Sequence, residues 1–150
     1  MNKLIIGCDI GGVVKNQMTE MPIDNAVDSV KELNESSNFK VIFISKCKDS
    51  YRIKSTEWLK LHGLDHIQPF YCLENKDKIG IARRENVRIM IDDKMQVLSM
   101  FDAETLKIWL CDDQKKIEGT KKFQPDLFAS VRHAFKWSEV NQIINEFLLN

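Results

Sequence analysis

Asp9, Ser45, Lys78, Asp92 and Asp93 are the residues of this chain best suited to chemistry on a phosphate. Leu4-Ile5-Ile6-Gly7-Cys8 runs straight into Asp9-Ile10-Gly11-Gly12-Val13-Val14. A short buried strand thus delivers a carboxylate onto a glycine turn. Backbone amides stay free beside such an acid, and this arrangement presents it to a phosphate. A second apolar run, Val41-Ile42-Phe43-Ile44, ends on Ser45-Lys46. A third, Ile89-Met90-Ile91, ends on Asp92-Asp93, and Lys76 and Lys78 lie upstream of it. Acids, a hydroxyl and a lysine at successive strand ends exceed what a structural scaffold alone requires.

The elements that must position these residues alternate between two periods. Lys3 to Cys8, Lys40 to Ile44, Ile67 to Leu73, Val87 to Ile91 and Leu106 to Cys111 read as strands, mostly near-continuous apolar runs. Helical spacing appears over Pro22 to Leu33, Ser55 to His62, Asp77 to Glu85 and Lys94 to Phe101, the third being a charged surface helix. Residues 112 to 136 are polar and read as irregular, and Ser138 reads as the N-cap of a last helix, Glu139 to Leu149. Strand–helix alternation implies an α/β fold: a three-layer α/β/α sandwich with a central parallel sheet. Such sheets hold their ligands at the carboxyl ends of the strands. The residues picked out above are therefore expected on one edge.

Composition narrows the class. A chain of 150 residues suits a single domain, 1–150, with a sizeable core. The formal net charge is zero, so no basic field argues for nucleic acid. Cys8, Cys47, Cys72 and Cys111 show no C-x-x-C spacing and read as reduced, small buried hydrophobes of a cytoplasmic protein. No segment is apolar for long enough to span a membrane. Ile5-Ile6-Gly7-Cys8 has the form of a lipoprotein cleavage box, but the apolar stretch before it is too short for a signal peptide. His62, His66 and His133 have no ligand spacing, and Lys115, Lys116, Lys121 and Lys122 read as a solvated basic loop.

Taken together, these residues resemble the haloacid dehalogenase (HAD) superfamily of phosphohydrolases. Its four motifs occur in order over residues 4 to 98. The first, an apolar strand then Asp-x-x-Gly-Thr/Val, matches Asp9-Ile10-Gly11-Gly12-Val13. The second, a strand then Ser or Thr, matches Val41 to Ser45. The third, a lysine before the fourth strand, matches Lys78, or less well Lys76. The fourth, a strand then Asp-Asp, matches Ile89 to Asp93. The resemblance implies a Rossmann-like core and assigns roles. Asp9 would be the nucleophile that forms an aspartyl-phosphate. Mg²⁺ would be held by Asp9, the Gly11 carbonyl and an acid of the fourth motif, Asp93 directly with Asp92 behind it. Ser45, Lys46 and Lys78 would bind the phosphoryl oxygens, with the Ile10 and Gly11 amides completing the cradle.

Gly11 departs from the commonest pattern of that superfamily, in which an acid two residues after the nucleophile protonates the leaving group. General acid–base help is typically worth 10²–10⁴-fold. Glu20, in the loop that follows, is one alternative source of the proton. The two expectations are a Mg²⁺-dependent phosphomonoester hydrolase and a phosphate-binding or protein-interaction domain with little turnover. Residues 14 to 40 and 46 to 75 leave no room for the cap domains that many superfamily members carry. An uncapped site suits a large or exposed phosphorylated substrate, or a lid borrowed from a second copy in a homo-oligomer. The same opening resembles the first phosphate motif of actin-like sugar kinases, but the chain is about half their length. A Rossmann nucleotide site would want Gly-x-Gly-x-x-Gly and an acid on the second strand, where Ser45-Lys46 stands.

Overall fold

The structure, a computed structural model, describes residues 2–150. Its strands are Leu4–Cys8 (β1), Phe39–Lys46 (β2), Pro69–Cys72 (β3), Val87–Asp92 (β4), Leu106–Leu110 (β5) and Arg132–Ala134 (β6). Its helices are Ala26–Glu35 (α1), Arg52–Leu61 (α2), Asp77–Arg84 (α3), Met95–Leu98 (α4), Gln114–Phe123 (α5), Pro125–Ala129 (α6) and Trp137–Leu149 (α7). All strands pair in parallel, in the order β3-β2-β1-β4-β5-β6. The chain builds outward from β1 in one direction, then crosses back to β4 and builds outward in the other. The sheet therefore reverses between β1 and β4, and a crevice forms outside the carboxyl ends of those two strands.

Each strand sends alternate side chains to opposite faces. Ile6, Cys8, Val41, Phe43, Ile89, Ile91 and Ile108 pack with Val30 of α1, Leu59 of α2 and Val140 and Ile144 of α7. Ile42, Ile44, Met90 and Trp109 face the other way, onto Ile81 of α3, Leu98 of α4 and Ile117 of α5. Two cores on one sheet make the expected three layers. They also explain the near-continuous apolar strands, since both faces are covered. Residues 9–25 form a loop with bridges Gly11 to Lys15 and Lys15 to Pro22. Residues 47–68 hold a short 3₁₀ turn and α2. Among the described residues no cap domain is inserted in either stretch.

Several expectations are corrected. The first helix begins at Ala26 because Pro22 is bridged to Lys15 and Asn25 turns through the left-handed region (φ 64°). The second begins earlier, at Arg52, and α4 is a single turn. Residues 112–136, expected to be irregular, form α5, α6 and β6. The Asp113 carboxylate caps α5 by accepting the Lys115 and Lys116 amides, but α5 buries only Ile117, so its sequence carries little helical periodicity. The lysines expected in a loop therefore sit on α5, where Lys121 and Lys122 lie against Phe128 and Phe123. Ser138 does not cap α7, which begins at Trp137; the Glu139 carboxylate instead accepts the Phe135 amide. On α3, expected to be a charged surface helix, Lys78 is buried at 1% exposure. The cysteines are free thiols, and burial raises the pKa of each.

Candidate active site

β1 and β4 are neighbours in register, with Cys8 opposite Ile91, so their ends carry Asp9 and Asp92-Asp93 to the same crevice. Asp9 is 4% exposed and Asp92 fully buried. Burying acids this deeply requires partners, and α3 supplies one. The Lys78 Nζ donates to Asp92 Oδ2 at 3.0 Å and lies 3.4 Å from Asp9 Oδ2. The other Asp9 oxygen, Oδ1, accepts the Ile10 N–H at 2.8 Å. Asp92 Oδ1 accepts the Lys94 N–H at 3.0 Å, so both Asp92 oxygens are engaged. Lys76, the weaker sequence alternative, is exposed and pairs with Glu74 at 3.1 Å.

Asp93 differs from its neighbour. Its Oδ1 is buried and, among the described residues, has no hydrogen-bond partner, and Lys94 Nζ comes no nearer than 3.9 Å. Its backbone carbonyl accepts the Trp109 indole N–H at 3.0 Å, which fixes the turn. One carboxylate oxygen from each of Asp9, Asp92 and Asp93 falls within a cluster 4.8 Å across. A buried oxygen without a donor, in a cluster of hard oxygen ligands, suits a divalent cation of the Mg²⁺ type. Asp9 and Asp93 could hold such an ion directly, while both Asp92 oxygens are engaged by Lys78 and the Lys94 amide.

The electrostatics follow from this crowding. Burial, then the neighbouring Asp92 charge, push the Asp9 carboxyl up to about 7 against the pull of Lys78. Burial and Asp92 likewise push Asp93 up to about 6. Burial alone would lower Lys78, but Asp9 and Asp92 outweigh it and hold its ammonium above the ordinary value.

In front of Asp9 lies a cleft of about 540 Å³. Ile10, Gly11, Ser45, Lys46 and Lys78 all line it, so the sequence-identified phosphate ligands share one cavity. The Ile10 N–H is engaged by Asp9 itself. Ser45 is buried and Lys46 exposed. Gly11 has no side chain, but its missing one has a counterpart. A Cβ built on Gly11 would lie 2.8 Å from Nε2 of Gln17, so the Gln17 carboxamide stands beside the position an acid would occupy. Gly12 is more constrained. Its φ is +81°, and a Cβ there would lie 2.2 Å from Asp93 Oδ2. Asp93 and Gly12 border a second hollow of about 610 Å³, which Lys116 also reaches.

Sequence reasoning missed several residues of the cleft, among them Lys15, Gln17 and Tyr51. Lys15 Nζ donates to Tyr51 Oη at 2.9 Å, and Tyr51 donates to Glu20 Oε1 at 2.8 Å. Glu20, singled out in the sequence, therefore lines the cleft but is engaged by Tyr51. Its carbonyl accepts the Trp58 indole N–H at 2.7 Å, and its φ of 62° is left-handed. These residues lie in a loop and a short 3₁₀ turn, where no periodicity points to a site; the lone signal is Lys15 following the apolar pair Val13-Val14.

No protein-family model matches the chain, and no curated protein matches it. Solved structures do. D,D-heptose 1,7-bisphosphate phosphatase from Burkholderia thailandensis is 16% identical, with 89% of this chain and 93% of that chain covered and a TM-score of 0.58. A Burkholderia xenovorans LB400 protein described as a haloacid dehalogenase-like hydrolase is 13% identical, with 86% and 60% covered and a TM-score of 0.60. A de novo designed Rossmann 3x3 protein is 12% identical, with 95% and 92% covered and a TM-score of 0.53. A designed protein matches the backbone nearly as well, so these likenesses speak for the fold, and any claim on chemistry rests on the side chains at the strand ends. The fold is a Rossmann-like core of six parallel strands, similar to that of these hydrolases, and among the described residues it carries no cap.

Proposed function

We propose that the chain is a Mg²⁺-dependent phosphomonoester hydrolase with Asp9 as its nucleophile. One observation carries this reading: Asp9 sits at the sheet reversal with one oxygen held by the Ile10 N–H, the other facing Lys78, and two further acids within the same cluster. Asp9, Asp93 and the Gly11 carbonyl would hold the cation, which when bound offsets the charge of the phosphate dianion and of the attacking carboxylate.

The chain's own residues supply the remainder. An Asp9 oxygen attacks phosphorus, forming an aspartyl-phosphate as the bond to the leaving oxygen breaks. Ser45 donates to a phosphoryl oxygen, and Lys46 and the Gly11 amide hold the others. Lys78 steadies the negative charge shared between Asp9 and the phosphate. The leaving oxygen takes its proton from water, since Gly11 offers none. Water then attacks phosphorus, releasing inorganic phosphate and restoring Asp9. The open cleft suits a phosphoryl group on a large or exposed substrate, or a lid from a second copy of the chain. The free cysteines agree with a reducing, cytoplasmic setting, and among the described residues no helix is long and apolar enough to cross a membrane.

Gly11 favours a second reading, a phosphate-binding or protein-interaction domain that turns over slowly or not at all. Mg²⁺-dependent hydrolysis of aryl phosphates separates the two, with Asp9→Asn as control. The hydrolase predicts a loss of roughly 10⁴–10⁶-fold in that variant. Wild-type activity no greater than that of Asp9→Asn, across aryl phosphates, nucleotides and phosphopeptides, would leave only the binding domain.

A further inference from the structure

The cleft contains a buried cation that the proposed chemistry does not use. Lys15 is 6% exposed, yet it lines the cleft beside Asp9. Its ammonium has three protons to donate. One goes to Tyr51 Oη at 2.9 Å. Its other near neighbours are aromatic faces, with Nζ 4.8 Å from the Tyr51 ring centroid and 5.7 Å from that of Trp58. Among the described residues no carboxylate lies within salt-bridge distance of it; Glu20 reaches it only through the Tyr51 hydroxyl. Buried lysines are seldom left without a carboxylate, because desolvating the charge is costly. The aromatic box and the phenol hold this one in place but leave it incompletely neutralised.

Its position along the cleft matters as much as its burial. Lys78 is committed to Asp9 and Asp92. Lys15 belongs to the loop after β1, and Lys46 and Lys48 to the end of β2 and the turn that follows. Ser50 and Ser55 add hydroxyls to that wall. The cleft wall formed by these segments thus carries three lysines and several donors, with Glu20, engaged by Tyr51, as its acid. A lone phosphoryl group at Asp9 would leave Lys15 and Lys48 unmatched.

We infer that this wall is a second anion subsite, in which Lys15, with Lys48, binds a phosphate or carboxylate carried on the same substrate as the scissile phosphate. The inference rests on the proposed hydrolase, which places the scissile group at Asp9. It narrows the substrate class to phosphomonoesters with a second negative group.

The test compares three ligands that differ at one end: n-propyl phosphate, propane-1,3-diyl bisphosphate and 3-(phosphonooxy)propanoate. Each is titrated with Mg²⁺ present as a competitive inhibitor of aryl phosphate hydrolysis, and separately by calorimetry. A charge-assisted contact in a buried setting predicts binding roughly 10–100-fold tighter for one of the two ligands with a second anionic end than for propyl phosphate. The preference for phosphate or carboxylate identifies the second group. In Lys15→Met that ratio should fall to the statistical value, about two for the bisphosphate with its two equivalent ends and about one for the carboxylate. A wild-type ratio of two or less overturns the inference, as does a ratio that survives in folded Lys15→Met. If Lys15→Met does not fold, Lys48→Glu, at an exposed position, should lower the ratio several-fold, and an unchanged ratio there also overturns it. Failure of the hydrolase reading would show separately, as absent hydrolysis with the calorimetric ratio still measurable.

Discussion

Gly11→Asp would return an acid to the position two after the nucleophile, and the structure allows its effect to be worked out. The backbone at Gly11 is outside the left-handed region, so a side chain adds no backbone strain. The three atoms nearest the new Cβ all belong to Gln17: Nε2 at 2.8 Å, Cγ at 3.3 Å and Cδ at 3.5 Å. Gln17 is exposed, so it can swing aside at a cost of roughly 0.5–1.5 kcal/mol. A fourth carboxylate beside Asp9, Asp92 and Asp93 adds repulsion, about 3 kcal/mol per pair at ~5 Å and an effective dielectric of ~20, which Mg²⁺ would offset. The gain is a proton delivered to the leaving oxygen, roughly 10²–10⁴-fold in rate, or about 3–5 kcal/mol of barrier. With Mg²⁺ saturating, alkyl phosphates should therefore speed up by about 10²-fold or more, while p-nitrophenyl phosphate, whose leaving group needs no proton, should change less than about tenfold. The assay is kcat/KM across phosphates of graded leaving-group pKa, wild type against variant. A flatter dependence on leaving-group pKa is expected. A uniform change across the series, in either direction, would refute the reasoning, because it would mean that position 11 matters for space or charge and not for the proton.

Three further outcomes follow from the same site. Lys78→Met strands Asp9 and Asp92 without their buried cation and should cost about 3–5 kcal/mol. Losing the cation raises the Asp9 pKa further, so folding stability falls as pH rises, and urea titrations should show a larger loss at pH 8 than at pH 5. Gly12→Ala forces a Cβ to within 2.2 Å of Asp93 Oδ2 at a φ of +81°, so it should cost more than about 1 kcal/mol and weaken Mg²⁺ binding, both readable by thermal shift with and without the ion. Asp9 and Asp93, with carboxyls near 7 and 6, stay partly protonated where free acids are charged. Charging them costs the metal-free fold stability as pH rises from about 4 to 7. Mg²⁺ must displace those protons, so its affinity should rise from pH 5 to pH 8, and calorimetry in buffers of different ionisation heat should detect their release. A pH-independent affinity would remove Asp9 and Asp93 as ligands.

What the sequence revealed and what it concealed divide along physical lines. β1, β2 and β4 are buried on both faces, so their apolar runs are unmistakable and their last residues are located with them. Asp9, Ser45 and Asp92-Asp93 were legible for that reason. Lys78 was legible only by its place before β4, for nothing in Lys76-Asp77-Lys78 says which lysine turns inward; the phase of α3 decides that. β6 and α5 were hidden because three residues and one buried isoleucine carry no period. Lys15, Gln17 and Tyr51 were hidden because a loop brings them to the cleft through bridges and hydrogen bonds that no local pattern encodes. The orphaned oxygen of Asp93 belongs to the same class, since it depends on which donors fail to arrive.

The Trp137 indole N–H donates to the Val13 carbonyl at 2.9 Å, across 124 residues of chain. At ~5–20 residues per second, synthesis reaches that tryptophan roughly 6–25 s after the loop of Asp9 has been made. Asn141 adds a second tie to the same region through Ser29 at 3.0 Å. The end of β1 is thus made well before the helix that secures it. A growing chain carries the acid long before it carries the clasp, so the loop after Asp9 and the helix α1 behind it gain these two ties only once α7 has been made.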